Sequence, residues 1–440
     1  MEDDHVRQDA WAPGTGPDAV WDERLLAYAH AVGVLKARPA EDPLGWIGQA
    51  SLHVGRPRGT WYLLPWLRMY LWYLERVLRA AVVASGGPAA WALPYWGYAD
   101  ADADARGDRA CAALPPAFAA PELPDGAPNP LYRPDGERAP FLNRGFPLPA
   151  AVTSATRALS APGFSPGLGG LPGGPTRDGE APTPGLLEAQ PHDSVVAALG
   201  RDAALDPVFP LHLAAVDRLW EMWLAQDPAH ENPAQFDWTD QWFSFCDADG
   251  RARSMTCGQA GDLANLDYVY AGLRPRAGAE HVLTGDADHA LALCGGRARR
   301  IATGATACVE LGPDARRVAL RPADGAGVAA AGAGAMRGRV YLHLEDARAI
   351  SEAAGSVWEV RVEGRHVRPP DAAASVGTIA LTGRDVPQRF VFDITDAVDD
   401  LGATWDERAL AVTFHPALPA DRAARPALAA RVGRVFLTHT

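Results

Sequence analysis

The strongest hydrophobic signal in the chain is Trp61 to Glu75, WYLLPWLRMYLWYLE, where aromatic and aliphatic residues recur at helical spacing and cover nearly the whole surface. A helix that is apolar all round belongs in a core, and its only charges, Arg68 and Glu75, need partners if they are buried. This helix is predicted to follow the turn GRPRG and to run to about Ala84, ahead of the Gly86-Gly87-Pro88 breaker. Before it, VWDERLLAYAHAVGVLK (20–36) places apolar residues at i, i+3, i+4 and i+7, and EDPLGWIGQASLH carries Asp42 and Pro43 as a helix-start signal. Residues 101–182 are rich in Pro, Gly and Ala with little periodicity, and read as long loops laid over the helices. A helix is expected to resume near Gly185 and to run through HDSVVAALG. Another is expected over Phe209 to Ala225, with Asp206 as its N-cap and Pro207 at its first position. Two helix pairs with apolar inner faces predict a four-helix bundle.

Beyond about residue 275 the period changes from helical to alternating. RVYLHLEDA, VWEVRVEG, GTIALTG, RFVFDITD, LAVTFHP and GRVFLTHT are separated by Gly, Pro and Asp turns, which predicts an antiparallel β-sandwich. The Ala/Gly-rich 324–338 stretch reads as a flexible loop. The expected fold class is therefore α+β, with a helical core followed by a C-terminal sandwich. The boundaries are a loose start over 1–19, a helical domain over 20–270, a linker with the first strands over 271–335, and the sandwich over 336–440.

Composition narrows the partners. At 440 residues, 48% hydrophobic, there is room for two or three cores. A formal net charge of −13 argues against nucleic acid and anionic membrane surfaces. No apolar run reaches the roughly 20 residues that span a bilayer. The acidic opening MEDDHVRQDAW shows no apolar signal region, so a cytoplasmic location is expected. The five cysteines show no CxxC spacing, which speaks against a disulfide framework or a zinc knuckle. The oligomeric state is not readable.

Several stretches, in order, resemble motifs of tyrosinases and plant-type polyphenol oxidases. WYLLPWLRMYLWYLE is similar to their first copper-binding helix, FxPWHRxYLxxFE. GLLEAQPHD resembles GxxExxPHxxVH, DPVFPLHLAAVDRLW resembles DPxFxxHHxxxDRxW, LDYVY resembles the linker signature LGYVY, and ALPYW and NPLYRPDGER also have counterparts. The resemblance implies a tyrosinase-like four-helix core, a sandwich that covers the active-site entrance in the plant enzymes, and six ligand positions for two copper ions. Those positions fall at His53, Arg58 and Leu67 for the first copper and at His192, Val196 and Leu213 for the second. His212 is the non-ligating member of the usual histidine pair, and the thioether cysteine between the first two ligands is missing. Imidazole is the ligand that suits copper, and four of the six positions have none, so no copper and no other cofactor is expected here. The three aliphatic replacements would fill the emptied space, each burial contributing roughly 1.5–3 kcal/mol.

What remains is polar equipment. Glu188 takes the position of the family's water-orienting glutamate, and His192 follows four residues later, near one face if the segment is helical. Asp193 follows His192. A histidine flanked by carboxylates can exchange protons near neutral pH, and Arg58 can hold a carboxylate, phenolate or enolate. Each also has a structural reading, as a helix cap, an ion pair or a core histidine. The first expected function is a non-redox acid–base enzyme acting on a small aromatic or polyketide-like molecule. In that reading His192, Glu188 and Asp193 are the proton-handling group, Arg58 is the anion site and His53 assists. Leu67, Val196, Leu213, Phe209 and His212 line the pocket. Two other functions stand beside it, a non-catalytic scaffold or binding protein and a mononuclear metalloenzyme using His53, His192, Asp193 and Glu188.

Overall fold

The computed structural model describes residues 5–11, 20–99, 109–165, 170–174, 183–273, 299–303, 308–322, 340–350, 357–363, 374–381, 388–400, 411–417 and 430–439. They divide into two units: one from Met1–Leu148, Thr153–Phe164 and Asp202–Gly285, the other from Pro149–Val152, Ser165–Arg201 and Asp286–Thr440. This differs from the boundaries expected from sequence, because the stretch carrying Glu188 and His192 packs with the C-terminal strands.

Four helices frame the first unit: α1 (Glu23–Lys36), α2 (Trp46–Leu52), α3 (Leu63–Ala84) and α4 (Phe209–Gln226). Asp22 caps α1, its carboxylate accepting the Leu25 N–H at 2.8 Å, and Tyr28, Ala29, Val32 and Leu35 form the buried stripe. The central helix α3 buries most of its length, as its all-round apolar pattern predicts, and stops where Gly86 takes φ +83°. Two helix starts differ from expectation. Gly45, not Asp42, caps α2, because the Asp42 carboxylate is used three residues earlier to accept the Leu44 N–H at 2.8 Å. Asp206 does not cap α4, whose N-cap is Val208. Its two carboxylate oxygens take the buried Arg138 guanidinium at 2.6 and 2.7 Å, and Oδ1 also accepts the Val208 N–H at 3.1 Å, just ahead of the helix. Leu114, Phe118, Leu131, Leu142 and Leu148 are buried too, so the expected surface loops contribute side chains to the core at these positions.

The expectation of a loose start fails at its middle. His5–Arg7 form β1; after the hairpin of β2 (Trp242–Cys246) and β3 (Ala252–Thr256), the chain reaches β4 (Tyr268–Tyr270), which pairs in parallel with β1. Arg7 is fully buried. Its Nε donates to Glu75 Oε2 at 2.7 Å, and its guanidinium lies 3.6 Å over the Tyr268 ring. Arg68 finds its partners on α4, at 2.6 Å from both Asp217 Oδ1 and Glu221 Oε1. Arg68 and Glu75 thus find partners far off in sequence, and Glu75 is also paired with Arg79 one turn on.

The second unit contains the expected sandwich. Its strands are β5 (Arg299–Thr303), β6 (Val309–Leu311), β7 (Arg316–Ala319), β8 (Arg321–Pro322), β9 (Val340–Ala349), β10 (Val357–Glu363), β11 (Ala374–Ala380), β12 (Gln388–Asp393), β13 (Ala411–Pro416) and β14 (Ala430–His439). One sheet runs β11-β10-β13-β7 and the other β12-β9-β14-β5-β8, with β6 also on β14. Neighbours pair antiparallel. Leu342, Leu344, Val435 and Leu437 meet Val360, Val362, Val412 and Phe414 in one core. The fold class is α+β, as expected. The 324–338 stretch lies outside the described residues.

Candidate functional site

In the first unit, His53 ends α2 and opens the short turn His53–Gly55. Its buried ring meets Phe209, the first residue of α4, edge to face at 4.6 Å. The rings of Trp66 and Tyr70 on α3 follow at 5.9 and 6.2 Å. Trp66 and Tyr70 are one turn apart and stack at 5.5 Å, which makes them one wall. Leu67 lies next to Trp66 in the chain and is 1% exposed, while Leu213 is fully buried on α4. His212 is buried with its Nδ1 2.7 Å from the Tyr98 hydroxyl. Burial pushes the Tyr98 phenol well above its ordinary value, so it stays protonated and can donate to that nitrogen. Arg58 sits half-buried in the turn after α2, its N–H bonded to Arg56 O at 2.9 Å.

In the second unit, Glu188, His192 and Asp193 are fully buried. His192 Nδ1 lies 2.8 Å from Asp193 Oδ1. The helix expected to run from Gly185 is broken between Glu188 and His192, where Gln190 takes φ −151°, ψ 124°. Pro191 causes this, since proline lacks an N–H and drives the preceding residue out of the helical region. Glu188 and His192 therefore do not share a face of one helix, and the expectation that they would is corrected. Helix resumes at Ser194–Leu199 and carries the buried Val196. Trp66, Tyr70 and Tyr98 were not picked out from the sequence. Their only signal was membership of the aromatic-rich stretches WYLLPWLRMYLWYLE and ALPYWGYAD.

Comparison with known proteins places this geometry. Residues 25–145 match the common central domain of tyrosinase. Over 288 residues the chain is 32% identical to tyrosinase HcTyr1 of Hahella sp. (strain CCB-MM4), covering 57% of this chain and 61% of that protein. It is 25% identical over 288 residues to the chloroplastic polyphenol oxidase A1 of Vicia faba, covering 56% of this chain and 45% of that one. The chain thus spans about half of the curated relatives it matches. Among solved structures, latent aurone synthase, a polyphenol oxidase, aligns over 100% of this chain and 90% of its own with TM-score 0.64 at 18% identity. Latent apple tyrosinase aligns over 100% and 97% with TM-score 0.63, also at 18% identity, so these two show the fold. Residues 25–145 thus carry a tyrosinase central domain, and the chain is a homologue of tyrosinases and polyphenol oxidases.

That family implies copper, and the donor chemistry can be tested on the residues present. Of the ligand positions given by the resemblance, the buried Leu67, Leu213 and Val196 present only carbon, and Arg58 is a permanent cation. One imidazole per metal remains, at His53 and His192. Among the described residues, no three His, Cys, Asp or Glu side chains gather to hold a metal ion. This set does not fit a dinuclear copper centre. It also gives no support to the rearranged mononuclear site. No helix among the described residues is long and apolar enough to cross a membrane.

Proposed function

We propose that this chain is a copper-independent relative of the polyphenol oxidases that performs non-redox acid–base chemistry on a small aromatic or polyketide-like molecule. Cyclisation, addition, dehydration and tautomerisation are the reaction types in view, and bacterial specialised metabolism is the proposed setting. The His192–Asp193 pair carries the reading, together with the buried Glu188 beside it in sequence. Burying ionisable groups costs free energy, and a chain that had only to stay folded could fill these positions with carbon, as it has at Leu67, Val196 and Leu213. An imidazole hydrogen-bonded to a carboxylate can take a proton from a hydroxyl or an activated carbon and return it. Arg58 as an anion site and His53 as its assistant belong to the same proposal, as do Phe209 and His212 as lining residues.

The relatives are named polyphenol oxidases, so phenolic ketones and aryl 1,3-diketones are the probes to use first. The test is exchange of their acidic carbon-bound hydrogens in D2O with the full chain in excess EDTA. We expect accelerated exchange that falls roughly 10²- to 10⁴-fold in His192→Ala and falls in Glu188→Gln. Equal rates in His192→Ala, or acceleration only after copper is added, would contradict the reading.

A second reading has its own observation. Leu67 and Leu213 are sealed in the core, which suits a protein that binds or stabilises a partner molecule without turning it over. Tight binding of the same probes with no exchange would favour it.

A further inference from the structure

Strand β11 lies at the edge of its sheet, yet Val376–Ala380 are buried without a break. A strand with one solvated face alternates buried and exposed positions. The inner face is accounted for by Gly377, where an added Cβ would fall 2.3 Å from the Phe392 ring of the opposite sheet. Successive side chains point to opposite faces, so Thr378 points outward, and the outer face is covered by the Glu188–Asp193 kink and the Ser194–Leu199 helix.

The polar contacts there form one chain. Thr378 Oγ1 donates to Ala151 O at 2.7 Å. The Gln190 side-chain amide donates to the same carbonyl at 2.9 Å. Ser194 Oγ lies 2.6 Å from Val152 O and 3.1 Å from Pro191 O. Residues 149–152 are thus a peg, held from the sheet by Thr378 and from the kink by Gln190 and Ser194. Those two residues bracket Pro191, His192 and Asp193.

We propose that Thr378 is a positioning residue for the His192–Asp193 pair, acting through the 149–152 peg, and that the sandwich is a permanent support of this pair and not a detachable cover. This rests on the acid–base reading for its functional meaning, but its test does not use activity. The probe is the ring Nδ1 proton that His192 shares with Asp193, observed by NMR in the full chain and assigned by its loss in His192→Gln. The proton is expected to be seen in wild type and in Thr378→Ser, and to be lost or exchange-broadened in Thr378→Val, which keeps the shape and removes the donor. Hydrogen–deuterium exchange of the wild-type chain supplies a second measurement, independent of any variant. Amides of 194–199 should be protected to the same degree as those of β11, as parts of one cooperative unit. An unchanged ring proton in a folded Thr378→Val, or exchange of 194–199 well ahead of β11, would overturn the proposal. Loss of catalysis with the ring proton intact would instead count against the acid–base function alone.

Discussion

Arg68 Nε donates to Asp217 Oδ1 at 2.6 Å, with both side chains almost wholly out of solvent, and this bond ties α3 to α4. Each partner neighbours a position where a copper ligand is expected by resemblance: Leu67 precedes Arg68, and Leu213 is one turn before Asp217. Tyr268 and Tyr270 donate to Asp217 Oδ2 at 2.6 and 2.7 Å, and Arg7 reaches it from β1 at 3.4 Å. The geometry around Leu67 and Leu213 is therefore held by charge pairing and hydrogen bonds among these side chains.

Burial pushes the Asp217 carboxyl up, but Arg68, Arg7 and the two phenols outweigh it and hold it below the ordinary value. A carboxylate depressed in the folded state contributes stability above its unfolded value of about 3.9, and that stability is lost as pH falls through the lower folded value. Burial raises Glu221 despite Arg68, so Glu221 has the opposite sign and favours the folded state as pH falls toward its unfolded value. Unfolding by acid should therefore steepen only below about pH 4. Asp217→Asn should cost about 3–5 kcal/mol at neutral pH, by stranding a buried cation, and should flatten that acid limb. Urea titrations between pH 3 and 7 read both effects.

Leu67 and Leu213 are packing residues in this account. Leu67→Ala and Leu213→Ala should each destabilise by about 2–5 kcal/mol, the usual cost of a cavity at a closed core position. Added copper should not restore the loss, as thermal unfolding with and without the metal will show. A cost under about 1 kcal/mol would mean that the space is already open.

Burial pushes the Cys257 thiol up to about 12, while Cys308 is exposed and Cys111 and Cys246 are half-buried. Since the thiolate is the reactive form, Cys308 should react first with a disulfide reagent at pH 8 among the four described cysteines. Cys257 should react only at the rate of unfolding, which peptide mapping over a time course will resolve.

How much of this could be read beforehand depended on the range of the interaction. The end of α3 at Ala84 was legible because Gly86 and Pro88 act locally, and the strands of the sandwich because alternation is local. Arg7 was not, since its partners Glu75 and Asp217 lie 68 and 210 residues away and a three-residue strand has no period. Asp206 was misread for the same reason: its acidic side chain before a helix looks like a cap until Arg138 claims it. The break at Gln190 was legible in principle from Pro191, but the apolar pattern on either side suggested a continuous helix. The candidate site was readable as residue identities, through the motif resemblance. The aromatic wall around His53 and the peg at 149–152 depend on packing that no motif records.

We propose that Leu67, Val196 and Leu213, standing where the resemblance places copper ligands, leave this chain without a copper site. The most direct measurement is copper per chain after incubation with excess copper and exhaustive dialysis, read by mass spectrometry of the metal. Arg58→His/Leu67→His, which restores three imidazoles to the first half, serves as the control. The account predicts no retained copper in the wild type and about one ion in the control; two ions retained by the wild-type chain would contradict it.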